Sequence, residues 1–292
     1  MKKLFMAVIA LMMTFSASAQ FYIYCSDGNV IKVDSISMVA PEEPEHPDPS
    51  AGIGVFSVSA DKQVAFSKGN LQYTQSTNTW SFAENQYDYL GEANIAIDAD
   101  ILADKIDLFG WSTNSTNFGV STSIDDADYS GSFIDWGTNQ IGTDAPNTWR
   151  TLTKDEWDYL LNTRTNASVL KGIAQVNGVN GLILLPDNWS CPAGVAFKSG
   201  FHSNYGVDYY AAYQTFTAEQ WFSLEAAGAV FLSASGGRGG FDVGDNQYYG
   251  YYWTATEQDI DGACYLVFGA NKARVEFESR LNGLSVRLVN DL

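Results

Sequence analysis

Four short segments follow one another closely in the last third of the chain: YYGYYWTAT (248–256), ACYLVFG (263–269), ARVEFES (273–279) and LSVRLV (284–289). They are rich in aromatic and β-branched residues, which suit a pleated surface. Glycine, asparagine and aspartate lie between them, and these residues turn a chain back on itself. Connections this short allow antiparallel pairing only, since a parallel partner needs a crossover of about a dozen residues. The segments therefore predict an antiparallel meander on which the rest of the chain packs. Side chains in a strand alternate between faces. Leu284, Val286 and Leu288 should share one side, with Ser285 and Arg287 on the other. Likewise Val275 and Phe277 should point inward, and Arg274, Glu276 and Glu278 outward.

Upstream, AQVNGVNGLILLP (174–186) reads as two strands about an Asn-Gly turn, and AVFLSAS (229–235) as one more strand. Helices are predicted at only three places: 153–163, 218–227 and 100–106. The first two carry a start signal. Thr153 with Glu156, and Thr217 with Gln220, are spaced as capping boxes, in which each residue's side chain bonds the other's backbone N–H. Trp157, Leu160 and Leu161 then fall on one helical face. Strands with a few packed helices make an α+β domain.

The N-terminus reads as separate material. Lys2 and Lys3 precede an apolar run, Leu4–Phe15, and a small-residue Ala-Ser-Ala site, so 1–19 is predicted to be a signal peptide. The run is too short to span a bilayer, and no later stretch is long and apolar enough to do so. Residues 20–39 read as a β-hairpin about Asp27-Gly28-Asn29, and the proline- and glutamate-rich 40–51 as an extended linker. Residues 52–292 then form one domain. The expected product is exported, either secreted or held at the outer cell surface. Cys25 has bulky Tyr24 before it, which argues against lipid attachment.

Charge narrows the partners. The chain holds 16 basic and 34 acidic residues, and loss of Lys2 and Lys3 takes its formal charge from −18 to −20. Such a surface repels phosphate backbones and anionic lipid, so no nucleic-acid partner is expected. Two histidines, His46 and His202, are too few for a multi-histidine metal site. An oxidising compartment would allow a Cys191–Cys264 disulfide.

Several of these pieces, in this order, resemble a known superfamily. RTLTKDEWDYLLNTR (150–164) is similar to a segment of the formylglycine-generating, sulfatase-modifying-factor superfamily. VAFSKGNLQYTQSTNTWSFAENQYDYLG (64–91), GYYWTAT (250–256), YLVF (265–268) and NGLSVRLV (282–289) resemble its secreted bacterial branch, of the Fibrobacter major paralogous domain type. The likeness covers most of 54–290. It implies a C-type-lectin-like fold of small antiparallel sheets, two helices and extensive loops. Trp157 and Trp253 would then be core, and Arg287 structural. The superfamily's oxidases hold copper on closely spaced C-terminal cysteines. Here that region has Cys264 alone.

Catalytic signals are sparse. His202 reads as a loop residue rather than a base. GGRGGFDVG (236–244) lacks the strand–helix context of a phosphate cradle and reads as a flexible loop. Asp242, Asp245 and Asn246 in one loop, and Asp125, Asp126 and Asp128 in another, are oxygen-rich enough to be weak calcium candidates; otherwise no cofactor is implied. Tyrosines cluster at 205–213 and 248–252, both read as loops. By resemblance to lectin-like folds, whose ligands dock on this part of the meander, the expected binding face is Tyr249, Tyr251, Glu257, Gln258, Asp259, Asn271, Arg274, Glu276, Glu278 and Arg280. The predicted function is non-catalytic recognition of a glycan or protein. The alternatives are a diverged enzyme of the formylglycine-generating class, a glycan-acting hydrolase, or a structural subunit of a surface assembly.

Overall fold

The computed structural model divides the chain into two units, Met1–His46 and Pro47–Leu292. It describes residues 54–94 and 104–292 in full, and the backbone of 21–24 and 30–33. In the first unit β1 (Phe21–Tyr24) and β2 (Val30–Val33) pair antiparallel, Phe21 opposite Val33 and Tyr24 opposite Val30. The expected signal peptide at 1–19, Cys25, the expected turn at Asp27–Asn29 and the expected linker at 40–51 lie outside the described residues.

The second unit begins with β3 (Phe56–Ser57), β4 (Gln63–Phe66), β5 (Leu71–Thr74), β6 (Thr79–Phe82) and β7 (Lys105–Ile106). Then come β8 (Arg150–Thr151), α1 (Lys154–Asp158), β9 (Lys171–Val176), β10 (Val179–Leu184), α2 (Asp208–Tyr213), β11 (Thr215–Phe216), α3 (Ala218–Ala226) and β12 (Val230–Ser233). A short hairpin, β13 (Gly237–Gly239) and β14 (Asp242–Gly244), precedes β15 (Gly250–Glu257), β16 (Gly262–Gly269), β17 (Lys272–Ser279) and β18 (Leu288–Asp291). The strands form small sheets of order β11-β9-β10-β12, β3-β4-β18-β8, β6-β5-β7 and β15-β16-β17. Among the described residues the strand ladders are antiparallel except that of β11 with β9. The unit is α+β. No helix among the described residues is long and apolar enough to cross a membrane.

Local chemistry explains the elements that form as expected. Asn177 and Gly178 join β9 to β10 at φ 48° and 83°, the left-handed pair of a type I′ turn whose twist matches its strands. Both capping boxes are closed. The Thr153 hydroxyl accepts from Glu156 N (3.3 Å), and Glu156 Oε2 accepts from Thr153 N (2.9 Å). The second box, on Thr217 and Gln220, starts α3. Helix α1 runs on as a π-turn, Tyr159–Thr163, so helical backbone covers the predicted 153–163 span. Trp157, Leu160 and Leu161 are buried together against the core face of the sheets. Each such side chain contributes about 2 kcal/mol by leaving water. Arg150 clamps Glu156 with two 2.8 Å bonds and also meets Asp291 of β18, so the helix start is tied to the sheet beneath it.

Several expectations fail. In place of a helix at 100–106, Lys105 and Ile106 form β7, paired with Thr74 and Tyr73; residues 95–103 lie outside the described residues. The fourth meander segment leaves its neighbours: Leu284 and Ser285 make single bridges to Phe109 and Tyr252, and β18 crosses to pair with β4 and β8. Its alternation survives, with Leu284, Val286 and Leu288 in one core, but Ser285 and Arg287 are buried as well. Arg287 is structural, donating to Gln86 Oε1 (2.7 Å), Phe231 O (2.6 Å) and Asn70 Oδ1 (3.3 Å), and burial pulls its guanidinium down to about 10. Phe277 keeps the face of Val275 and pairs opposite buried Cys264, yet it is 63% exposed. The tyrosines at 208–213 lie on α2, not on a loop. Cys191 and Cys264, which an oxidising compartment would allow to pair, are separate here: Cys191 is exposed and its thiol meets Val195 O within its own loop, and Cys264 is buried in the central strand β16.

Candidate functional site

The residues expected to form the binding face do not converge. Arg274 and Glu276 form an ion pair, and their register places them beside Val267 and Tyr265, with Glu278 beside Ala263. Arg280 is a correction: it is only 2% exposed, stacked over Trp111 at 4.5 Å. Its guanidinium bonds Gly131 O and Asp259 O and pairs with Glu257 at 2.7 Å. Aspartate 259 also caps its own turn through Asp261 N and Gly262 N, while Gln258 Oε1 faces the Cys264 thiol. This end of the meander is therefore an internally satisfied hairpin base. Asn271 lies at the other end of β17, roughly 24 Å away at about 3.4 Å per residue. Tyr249 and Tyr251 do belong to a larger feature. Tyr205, Tyr248, Tyr249, Tyr251 and Tyr265 follow one another with ring centres 4.7 to 6.4 Å apart. Burial first, and the Asp245 carboxylate bonded to its hydroxyl at 2.8 Å, hold the Tyr251 phenol far above its usual range.

The calcium candidates are also dispersed. Asp245 is engaged by Tyr251, and Asp242 is exposed on β14. The Asn246 side-chain oxygen Oδ1 is buried without a hydrogen-bond partner among the described residues. In the other loop Asp125 accepts from Ala127 N, Asp128 from Ser123 and Asp126 from Ser279. Among the described residues no group of three or more His, Cys, Asp or Glu side chains is placed to hold a metal ion. His202 stacks on Tyr209 with ring centres 4.5 Å apart, and its Nδ1 accepts from Asn204 N.

A concavity lies elsewhere, in a groove of about 870 Å³. One wall is the β5–β6 hairpin with Tyr73, Gln75, Asn78 and Trp80; the other is the loop 115–125 with Asn117, Phe118 and Thr122. Phe241, at the tip of the β13–β14 hairpin, stands on the rim beside Ile124. The volume is typical of a small-molecule site. Trp80 packs against Tyr73 (4.8 Å) and meets Phe118 edge-on (6.0 Å), so apolar ring surface lies within the groove. Tyr73 donates to Asn78 Oδ1 at 3.0 Å.

The loop wall is fixed from behind. Trp136 Nε1 donates to Phe118 O (2.7 Å), and the Tyr129 hydroxyl to Ser123 O (3.0 Å). Arg238, 1% exposed, donates to Ser121 O (2.6 Å) and Gly240 O (3.1 Å). The segment read as a flexible glycine loop is thus a hairpin built around a buried guanidinium, which burial draws below its ordinary value. Phe118 sits at φ 50°, a conformation costly for a residue with a side chain and maintained only where surroundings enforce it. Gly119 follows at φ 77°, and a Cβ there would lie 1.9 Å from Gly110 O. The bonds from behind take backbone carbonyls, while within the loop Asn117 Oδ1 accepts from Gly119 N (3.1 Å), Ser121 Oγ accepts from Ser123 N (3.1 Å) and Ser123 Oγ donates to Asp128 (2.5 Å), so the wall is ordered from both sides.

The walls share a composition. Residues 69–83 and 111–124 contain no charged side chain, although the whole chain carries 34 acids. Asparagine, serine, threonine and aromatics recur in both stretches, with Gln72 and Gln75 added in the first. That joint absence of charge was the available signal for the groove. No periodicity accompanies it, which is why pattern reading passed over Trp80, Asn117, Phe118 and Phe241. Comparison with protein-family models, with curated proteins and with solved structures finds no match to this chain.

Proposed function

We propose that this chain is a non-catalytic recognition module, exported to the cell surface or medium, whose ligand occupies the groove between the β5–β6 hairpin and the loop 115–125. The observation that carries the reading is the prearranged loop wall, with Phe118 held at positive φ by bonds from Trp136 and its neighbours. Preorganisation of this kind removes the entropy of ordering a loop on binding. Binding is favoured over turnover by the donor set. The groove lining includes one carboxylate, Asp125, and no histidine, cysteine or lysine to act as nucleophile or base. We read the architecture as C-type-lectin-like, of the sulfatase-modifying-factor type. Small antiparallel sheets, capped helices and long irregular stretches support that reading.

The site differs from the C-terminal face expected from sequence. A glycan and protein array, probed with the chain lacking 1–19, with and without calcium, tests it. Thr122→Trp, which fills the groove, should abolish binding, and Glu276→Gln on the meander face should leave it intact. The reverse pattern would move the site to the meander and sink the proposal.

A further inference from the structure

We infer that the groove takes an uncharged oligosaccharide, held by aromatic surface, amides and hydroxyls without an ionic contact. This deepens the proposed function and rests on the groove being the recognition site. A sugar ring presents an apolar face of C–H bonds and an edge of hydroxyls, so a site for it needs ring surface and neutral donors and acceptors side by side. Tyr73 and Phe118, both half-buried, supply the ring surface with the buried Trp80 packed behind them, and Phe241, 45% exposed, adds a further ring on the rim. Gln75 and Asn117 stand among several serines and threonines on the same walls.

Charge separates this ligand from the nearest alternatives. No lysine, arginine or histidine lines the groove, so a uronate or sulfate would meet no cation, in a chain of formal charge −18. A cationic ligand would find Asp125 alone, and its carboxylate already accepts from Ala127 N at 3.0 Å. An extended peptide binds most readily by adding a strand to a free edge. Here the middle of the β6 edge is already engaged: Trp80 bridges Ile141, and Gly142 N donates to Trp80 O (2.8 Å).

The test is calorimetric titration of the whole domain with three probe sets: neutral xylan, mannan and glucan fragments; acidic oligogalacturonate and heparin fragments; and an uncharged peptide pool. At least one neutral oligosaccharide should bind. Phe241→Ala and Gln75→Ala, both at exposed positions that leave the core intact, should each weaken it about tenfold, equivalent to about 1.4 kcal/mol. Raising salt should change the affinity little, because no ion pair is formed. Binding of only acidic fragments or peptides, lost in the same two variants, would overturn the sugar assignment and keep the groove. Neutral-sugar binding that ignores both variants but disappears in Tyr249→Ala would overturn the groove as well. Failure of all three probe sets to bind the folded domain would likewise overturn the inference.

Discussion

The meander β15–β17 and the irregular segment 107–149 pack against the same aromatic core, yet they are held by different means. Trp253 and Tyr265 enter that core from the meander, and Trp111 and Trp136 from the irregular segment. The meander is fixed by its ladder: β16 pairs along its whole length with β17. The irregular segment is fixed by indole and guanidinium donors that reach its carbonyls. The two regions even exchange such bonds, Trp111 Nε1 to Thr254 O (2.9 Å) and Trp253 Nε1 to Phe109 O (2.7 Å). A ladder spends the backbone polar groups on neighbouring strands and makes outward side chains incidental. Buried donors hold a loop through its carbonyls, so its side chains can be shaped for a ligand. The comparison predicts that single substitutions hurt the irregular segment far more than the meander's outer face.

The strongest way to break that comparison is Gly119→Ala. The added Cβ would overlap Gly110 O at φ 77°, so the domain should lose about 4 kcal/mol or more in urea denaturation. A loss under about 1 kcal/mol would mean the wall yields. Next comes Arg238→Met, which keeps bulk but strips the donors from Ser121 O and Gly240 O; a loss of about 3 kcal/mol is expected, since each orphaned carbonyl costs about 1–3 kcal/mol. Ligand binding should fall with it. Asp107 sharpens the contrast through pH. It is wholly buried, accepts from Leu90 N and Asn94 Nδ2, and burial pushes it up to about 6. A folded-state value above the unfolded one means the folded state holds the proton more tightly. Its contribution is thus present at about pH 4 and lost as pH rises to about 6, on the order of 3 kcal/mol. Denaturation midpoints of Asp107→Asn should not show this decline, and an identical decline in the variant would remove Asp107 as its source. Thr153→Ala opens a capping box and should cost about 1 kcal/mol. Smallest is Glu276→Gln on the meander, where the Arg274 pair is about two-fifths exposed; less than about 0.5 kcal/mol should change in thermal melts.

The same division explains what could be read in the sequence. Capping boxes, the Asn177-Gly178 turn and the alternation of Leu284, Val286 and Leu288 are short-range patterns, and each reappears in the structure. Burial at strand ends is not short-range. Phe277 and Arg280 carry the right alternation and the wrong exposure, because a tryptophan more than a hundred residues earlier covers one and nothing covers the other. The groove is the extreme case. Its walls come from residues near 75, 120 and 241, and the pins behind them, Trp136 and Arg238, are equally scattered. Arg238 was hidden inside a glycine-rich stretch because glycine allows close packing as readily as it allows freedom.

The sheet β3-β4-β18-β8 has a consequence for how the molecule is made. Strand β18 lies between β4 and β8, so two strands that are synthesised early wait for a shared neighbour that arrives after all of them. A chain emerging from its N-terminus cannot complete this sheet until Leu288–Asp291 is delivered, and the Arg150 clamp on Asp291 cannot close before then. Assembly therefore runs as one late event with large loops to close, a slow route that leaves Gln63–Phe66 and Arg150–Thr151 with open edges during synthesis. The last strand is the latch of the fold, and the time before it engages is when a chaperone has most to protect.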